Sequence, residues 1–213
     1  MSNQNGLAEL LVVSPVIPVL TIEDVSHAVP LARALFDGGI GVVEVALRTQ
    51  AAIAAIAAMV ASVPGMIVGA GTVLTAEQYH AVAEAGARFV VSPGSSPSVL
   101  DAAASSRVPF LPGAATPSEV LALLERGYRW QKFFPAEPAG GIPMLRAIGA
   151  PIPEVRFCPT GGIGLANASD YLALANVVCV GGSWLTPAEA MRTGDWHRIA
   201  ALAAEAAALK RRH

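Results

Sequence analysis

Residues 42–71 read VVEVALRTQAAIAAIAAMVASVPGMIVGAG, and the reading of this stretch decides the fold. Val42–Leu47 is a short apolar run rich in valine, with one charge, Glu44, inside it. Arg48-Thr49-Gln50 ends the run, an alanine-rich segment suited to a helix covers Ala51–Ser62, and a second strand-like run follows at Ile67–Gly71. Apolar runs without polar alternation belong to strands covered on both faces, as in parallel sheets flanked by helices.

The same unit recurs in both directions. Strand-like runs are expected at Pro15–Leu20, Phe89–Ser92, Phe110–Pro112, Gln131–Phe134, Val155–Pro159 and Val177–Val180, which with the two above makes eight. Helices are expected at Ile22–Phe36, Ala76–Ala85, Pro117–Arg126, Asn167–Ala175, Pro187–Arg192 and Asp195–Lys210, with a short N-terminal helix over Gly6–Val12. The expectation is an α/β protein, a single (β/α)8 TIM barrel occupying residues 1–213 as one domain. An open doubly wound sheet that binds a dinucleotide would carry Gly-x-Gly-x-x-Gly after its first strand, whereas this chain reads Thr21-Ile22-Glu23-Asp24 there.

The composition supports a large core. Of 213 residues, 54% are hydrophobic and 14% charged, and the formal net charge is -2. That balance, with no basic patch interleaved with aromatics, argues against a nucleic-acid partner. No uninterrupted apolar run is long enough to span a bilayer, and the N-terminus lacks a basic segment followed by a signal-type apolar core, so a cytoplasmic protein with no membrane partner is expected. Cys158 and Cys179 both fall in strand-like runs and are expected to be buried free thiols.

In a barrel the chemistry sits at the C-terminal ends of the strands. Lys132 lies there, in Trp130-Gln131-Lys132-Phe133-Phe134, and the only other lysine is Lys210. An ammonium among aromatics either snorkels to water on its aliphatic stem or is held neutral to attack a carbonyl. Glu44 has a similar pair of readings, an ion-pair partner for Lys132 or Arg48, or a proton-transferring group. Alternation places Glu44, Ala46 and Arg48 on one strand face. Arg48 suits a carboxylate or phosphate, or is a solvated loop arginine. Gly161-Gly162 and Gly181-Gly182 follow the seventh and eighth strands, where backbone N–H groups can converge on a phosphate, with Thr160 and Ser183 as added donors.

His27, His80, His197 and His213 fall in helical or terminal segments, and no aspartate is expected at a strand end. That leaves too few ligands for a divalent metal, so neither metal nor cofactor is expected. A lysine imine is the alternative electron sink.

Six segments, Val43–Thr49, Val68–Leu74, Ser92–Gly94, Lys132–Glu137, Arg156–Ile163 and Gly181–Leu185, closely resemble the 2-keto-3-deoxy-6-phosphogluconate (KDPG) aldolase family, the KDPG/KHG class I aldolases, in order and spacing over nearly the whole chain. Departures at Ser95-Ser96-Pro97 and Ala114-Ala115 are peripheral. The resemblance implies a homotrimer of (β/α)8 barrels that works in the Entner–Doudoroff pathway on a phosphorylated keto acid. It further implies Lys132 as the Schiff-base lysine and Glu44 as the general acid–base. Arg48, Thr72 and Pro93 would line the pyruvate end and Phe134 would pack by the lysine. Thr160, Gly161, Gly162, Gly181 and Ser183 would line the phosphate end. Related substrates, 4-hydroxy-2-oxoglutarate or the galactonate-derived epimer, remain open. So do a phosphosugar isomerase that uses Glu44 without a covalent step and a silent phosphate binder.

Overall fold

The computed structural model describes Gln4 and residues 6–210, so His213 lies outside the described residues. Nine strands are present among them: β1 (Val16–Leu20), β2 (Val42–Ala46), β3 (Ile67–Gly71), β4 (Val90–Val91), β5 (Phe110–Leu111), β6 (Gly113–Ala114), β7 (Trp130–Phe133), β8 (Arg156–Pro159) and β9 (Val180–Gly182). The helices are α1 (Leu7–Leu11), α2 (Ala28–Asp37), α3 (Ala52–Ser62), α4 (Ala76–Glu84), α5 (Pro97–Ser105), α6 (Pro117–Glu125), α7 (Gly141–Gly149), α8 (Leu165–Leu172), α9 (Ala188–Thr193) and α10 (Trp196–Ala207). A 3-10 turn at Val25–His27 precedes α2.

The expected closed eight-stranded TIM barrel is corrected. The strands form two parallel sheets, one of six in the order β5-β4-β3-β2-β1-β9 and one of three in the order β6-β7-β8. Two local causes break the ring. Pro112, read as the end of the strand Phe110–Pro112, has no N–H and separates β5, on the large sheet, from β6, on the small one. On the far side, among the described residues, two isolated bridges join the sheets, Phe157 to Val177 and Thr160 to Gly181. From one bridge to the next the chain advances three residues on one side and four on the other, so no regular ladder forms, as at a bulge.

The expected α/β class and the N-terminal helix are both present. Alternation sorts the core into two clusters. Val43, Val45, Val68, Val90 and Phe133 pack against helix residues such as Leu31, Leu35, Ile56 and Met59. Ile17, Val42, Phe89, Val91, Leu111 and Cys158 pack with one another, and Leu7 and Leu11 of α1 join them. Cys158 and Cys179 are buried thiols, and neither is in a disulfide among the described residues. The Gln4 side chain donates to the carbonyls of Phe110 and Trp130 and accepts from the N–H groups of Arg129 and Trp130, tying the N-terminal ends of β5 and β7 together across the seam between the sheets. No helix among the described residues is long and apolar enough to cross a membrane.

Candidate active site

Glu44 shares the face of β2 with Val42, so it points into the second cluster. Lys132 sits on β7 in the other sheet, paired in register with Gly113 of β6 and Cys158 of β8. Glu44 pairs with Val19 of β1 and Gly69 of β3. The two side chains meet between the sheets. Lys132 Nζ donates to Glu44 Oε1 at 3.0 Å and lies 3.4 Å from Oε2. Lys132 is 5% exposed and Glu44 3%, so the snorkelling reading of Lys132 does not hold. Each group gives the other the hydrogen-bond partner that burial takes away from water. The Phe134 ring lies 5.4 Å from Nζ, where its face favours a cation.

Small residues make room for this pair. A Cβ on Gly71 would fall 2.0 Å from Glu44 Oε1, and one on Gly69 would fall 2.3 Å from the Phe89 ring. Gly71→Ala is therefore expected to cost about 1–3 kcal/mol through overpacking. A urea melt of the variant should show a lower midpoint, and an unchanged midpoint would mean that Glu44 has slack. Thr72 follows at φ 59, the one non-glycine residue with positive φ among the described residues. A β-branched residue is held there at a conformational cost. Pro93 is placed by β6, since a Cβ on Gly113, the register neighbour of Lys132, would meet the Pro93 carbonyl at 2.3 Å.

The glycine loops lie on the same side. Ala136 N donates to Thr160 O at 2.8 Å and Glu137 N to Gly161 O at 3.0 Å, so the loop after β8 is bonded to the segment that follows Lys132. Gly161 and Gly162 adopt φ of 105° and 79°, which favours glycine. Among the described residues the N–H groups of Gly161, Gly162 and Ser183 have no protein acceptor. The Thr160 hydroxyl is buried without a partner among the described residues, and a Cβ on Gly181 would fall 2.2 Å from its Oγ1. Unbonded donors grouped in this way suit an anion.

A cavity of about 460 Å³ opens beyond β1, lined by Val19, Thr21, Glu23, His27, Ser183 and Arg192 among others. Val19 is the register partner of Glu44, so this space adjoins the buried pair, although neither Lys132 nor Glu44 lines it. Its size suits a small metabolite. Asp24 also lines it, and the Ser26 N–H at 2.8 Å holds the Asp24 carboxyl below the usual range.

The structure thus brings together Lys132, Glu44 and Phe134, packs Pro93 on the neighbouring β6, and joins Thr160 and Gly161 to the segment after Lys132. Ser183 faces the cavity. Arg48 is exposed after a tight turn in which its N–H reaches Ala46 O at 2.8 Å, and it makes no ion pair among the described residues. Sequence reasoning missed the Glu23, Asp24 and His27 wall, having placed His27 simply in a helix and no aspartate at a strand end. The signal was the polar run directly after the first strand. No group of three or more His, Cys, Asp or Glu is arranged to hold a metal ion among the described residues.

A buried lysine paired with a carboxylate beside an anion-suited loop fits an enzyme that works through a lysine imine. The family model for KDPG and KHG aldolase matches residues 7–202, and the chain belongs to that family. The KHG/KDPG aldolase of Escherichia coli is 50% identical over 207 residues, 97% of each chain. The 2-dehydro-3-deoxy-phosphogluconate aldolase of Dickeya dadantii is 50% identical over 209 residues, 98% of each. A KDPG aldolase of Legionella pneumophila, solved with pyruvate captured as a covalent carbinolamine, superposes with a TM-score of 0.93 at 48% identity, covering 94% of this chain and 98% of that one.

Proposed function

We propose that this chain is a class I aldolase that cleaves KDPG to pyruvate and glyceraldehyde 3-phosphate in the Entner–Doudoroff pathway. The observation that carries the reading is the 3.0 Å contact between buried Lys132 and Glu44. A neutral Lys132 Nζ attacks the C2 ketone, and loss of water leaves a protonated imine. Glu44 supplies and removes the protons of these steps, then takes the proton from the C4 hydroxyl. The C3–C4 bond breaks, its electron pair passes into the imine as an enamine, and glyceraldehyde 3-phosphate leaves. Protonation at C3 and hydrolysis release pyruvate and restore the amine.

In this reading Arg48 and Thr72 hold the substrate carboxylate and Pro93 and Phe134 wall the pyruvate end. The N–H groups at Gly161, Gly162 and Ser183, with Gly181 and Thr160, hold the phosphate. Residues 1–213 act as one catalytic domain in a cytoplasmic homotrimer, on the strength of the family resemblance. A second substrate, 4-hydroxy-2-oxoglutarate, is favoured by the name of the Escherichia coli relative, KHG/KDPG aldolase, which joins both. Purified protein, with EDTA present throughout, is expected to release pyruvate from KDPG with a higher kcat/KM than from 4-hydroxy-2-oxoglutarate. A reversed ratio would exchange the two substrates, and loss of activity in EDTA restored by a divalent ion would replace the imine with a metal.

A further inference from the structure

Glu137 is a carboxylate just past the end of β7, the strand that carries Lys132, and the mechanism does not use it. It follows Lys132 by five residues and lies beside the loop assigned to the phosphate, where a free carboxylate would repel an anion. Its surroundings tie it down. Its N–H donates to Gly161 O at 3.0 Å. Its side chain lies flat on Gly162, where an added Cβ would come within 2.6 Å of Glu137 Cγ. Its carboxylate accepts the hydroxyl of Tyr171, a fully buried side chain of α8. Gly141, at the start of α7, packs on both groups, since a Cβ there would lie 2.9 Å from Tyr171 Oη and 3.3 Å from Glu137 Oε1. The opposite side of the loop is anchored to the same α8, where Asn167 Nδ2 donates to Gly162 O at 3.3 Å.

We infer that Glu137, held by Tyr171, is a positioning residue that fixes the Gly161-Gly162 loop at a set distance from Lys132 and thereby sets affinity for the phosphorylated end of the substrate. The inference rests on the proposed aldolase reading. The chain of contacts runs from Lys132 along five residues to Glu137, through the side chain onto Gly162, and through Tyr171 into α8. Without it, the loop donors and the amine belong to separate sheet-end segments joined by main-chain bonds alone. Burial, then the adjoining carboxylate, pushes the Tyr171 hydroxyl well above its usual range, so it remains a donor. Binding energy made at the phosphate positions the distant reacting bond, so slack in this clamp is felt chiefly by the phosphorylated substrate.

The test uses full-length Tyr171→Phe, Glu137→Ala and Glu137→Gln. Three readouts are compared: kcat and KM for KDPG, the same for 4-hydroxy-2-oxoglutarate, and trapping of pyruvate on Lys132 by borohydride. Losing a hydrogen bond to a charged group is expected to raise KM for KDPG about tenfold or more in Tyr171→Phe and Glu137→Ala. Kinetics on the unphosphorylated substrate should stay within about twofold of wild type by the same argument. Glu137→Gln, which can still accept from Tyr171, should restore KM for KDPG. If wild type itself fails to trap pyruvate on Lys132, the aldolase reading falls. If trapping persists and Tyr171→Phe leaves KM for KDPG unchanged, the positioning role falls. Equal losses on both substrates would reduce the clamp to a fold element. If Glu137→Gln is as impaired as Glu137→Ala, the charge matters and not the hold, which also overturns the inference. Should Glu137→Ala not fold, Tyr171→Phe, which removes one oxygen, decides.

Discussion

Lys132→Arg is expected to lose turnover of KDPG by at least about 10⁴-fold, the scale seen when a covalent catalyst loses its nucleophile. The substitution separates charge from chemistry. A guanidinium can still ion-pair with Glu44, so a role for Lys132 confined to structure would leave activity largely intact. A guanidinium also stays protonated in proteins and offers no lone pair for a ketone carbon. The covalent step can be seen directly. Wild type incubated with pyruvate and borohydride should carry a reduced adduct on Lys132, located by peptide mass spectrometry, and should lose activity in step with labelling. Lys132→Arg should carry none. Lys210, the other lysine, is exposed near the C-terminal end and serves as the internal control. An adduct on Lys210 or on the α-amine, with Lys132 unlabelled, would remove the imine from the mechanism.

The βα repeat was legible because its signal is local. β3 occupies the expected Ile67–Gly71, and α3 and α6 lie within a residue of expectation, the latter fixed by a capping box between Thr116 and Glu119. The closure of the strands was not legible, because it depends on tertiary ladders. Pro112 looked like the end of an apolar run, yet its missing N–H is what hands the chain from one sheet to the other. The last strand was read on the apolar residues Val177–Val180, whereas β9 runs Val180–Gly182. Glycines are poor strand formers alone, but here a side chain at Gly181 would strike Thr160 and one at Gly182 would strike Trp184. Packing overrode propensity. Helix α7 escaped notice because Gly140-Gly141 and Pro143 look like breakers, although a proline is tolerated in a first turn.

At the candidate site, residue types were readable and contacts were not. Glu44 and Lys132 stood out as charges in apolar strands, and the structure joins them. Arg48 stood out by alternation from Glu44, but alternation ends with the strand at Ala46, and the turn that follows leaves Arg48 exposed. The hydrogen bond from Tyr171 to Glu137 links residues 34 apart in sequence, and neither residue type signals it.

Glu44→Gln is expected to lower kcat by about 10²–10⁴-fold while leaving Lys132 able to form an adduct, the range for removal of a general acid–base. Glutamine keeps the length of the side chain, so it fits the space that Gly71 leaves and its carbonyl can still accept from Lys132 Nζ. What it cannot do is take a proton from the C4 hydroxyl or return one at C3. The defect should therefore fall on turnover and not on substrate binding, with KM changed little. Loss of the carboxylate also strips the ammonium form of Lys132 of its ion-pair partner, which destabilises the fold by about 3–5 kcal/mol if the charge stays unpaired. Circular dichroism and a urea melt separate that loss from catalysis, because a destabilised but folded enzyme at low temperature still reports its own kcat. Borohydride trapping of pyruvate then assigns the fault. Slow but complete labelling of Lys132 places Glu44 at proton transfer, after and around the covalent step. Full-speed turnover in Glu44→Gln would leave Glu44 as an ion-pair partner only, and another group would have to move the protons. Within the buried cluster no other carboxylate is within hydrogen-bond reach of Nζ among the described residues, so that outcome would point to the solvent-facing wall at Glu23 and Asp24.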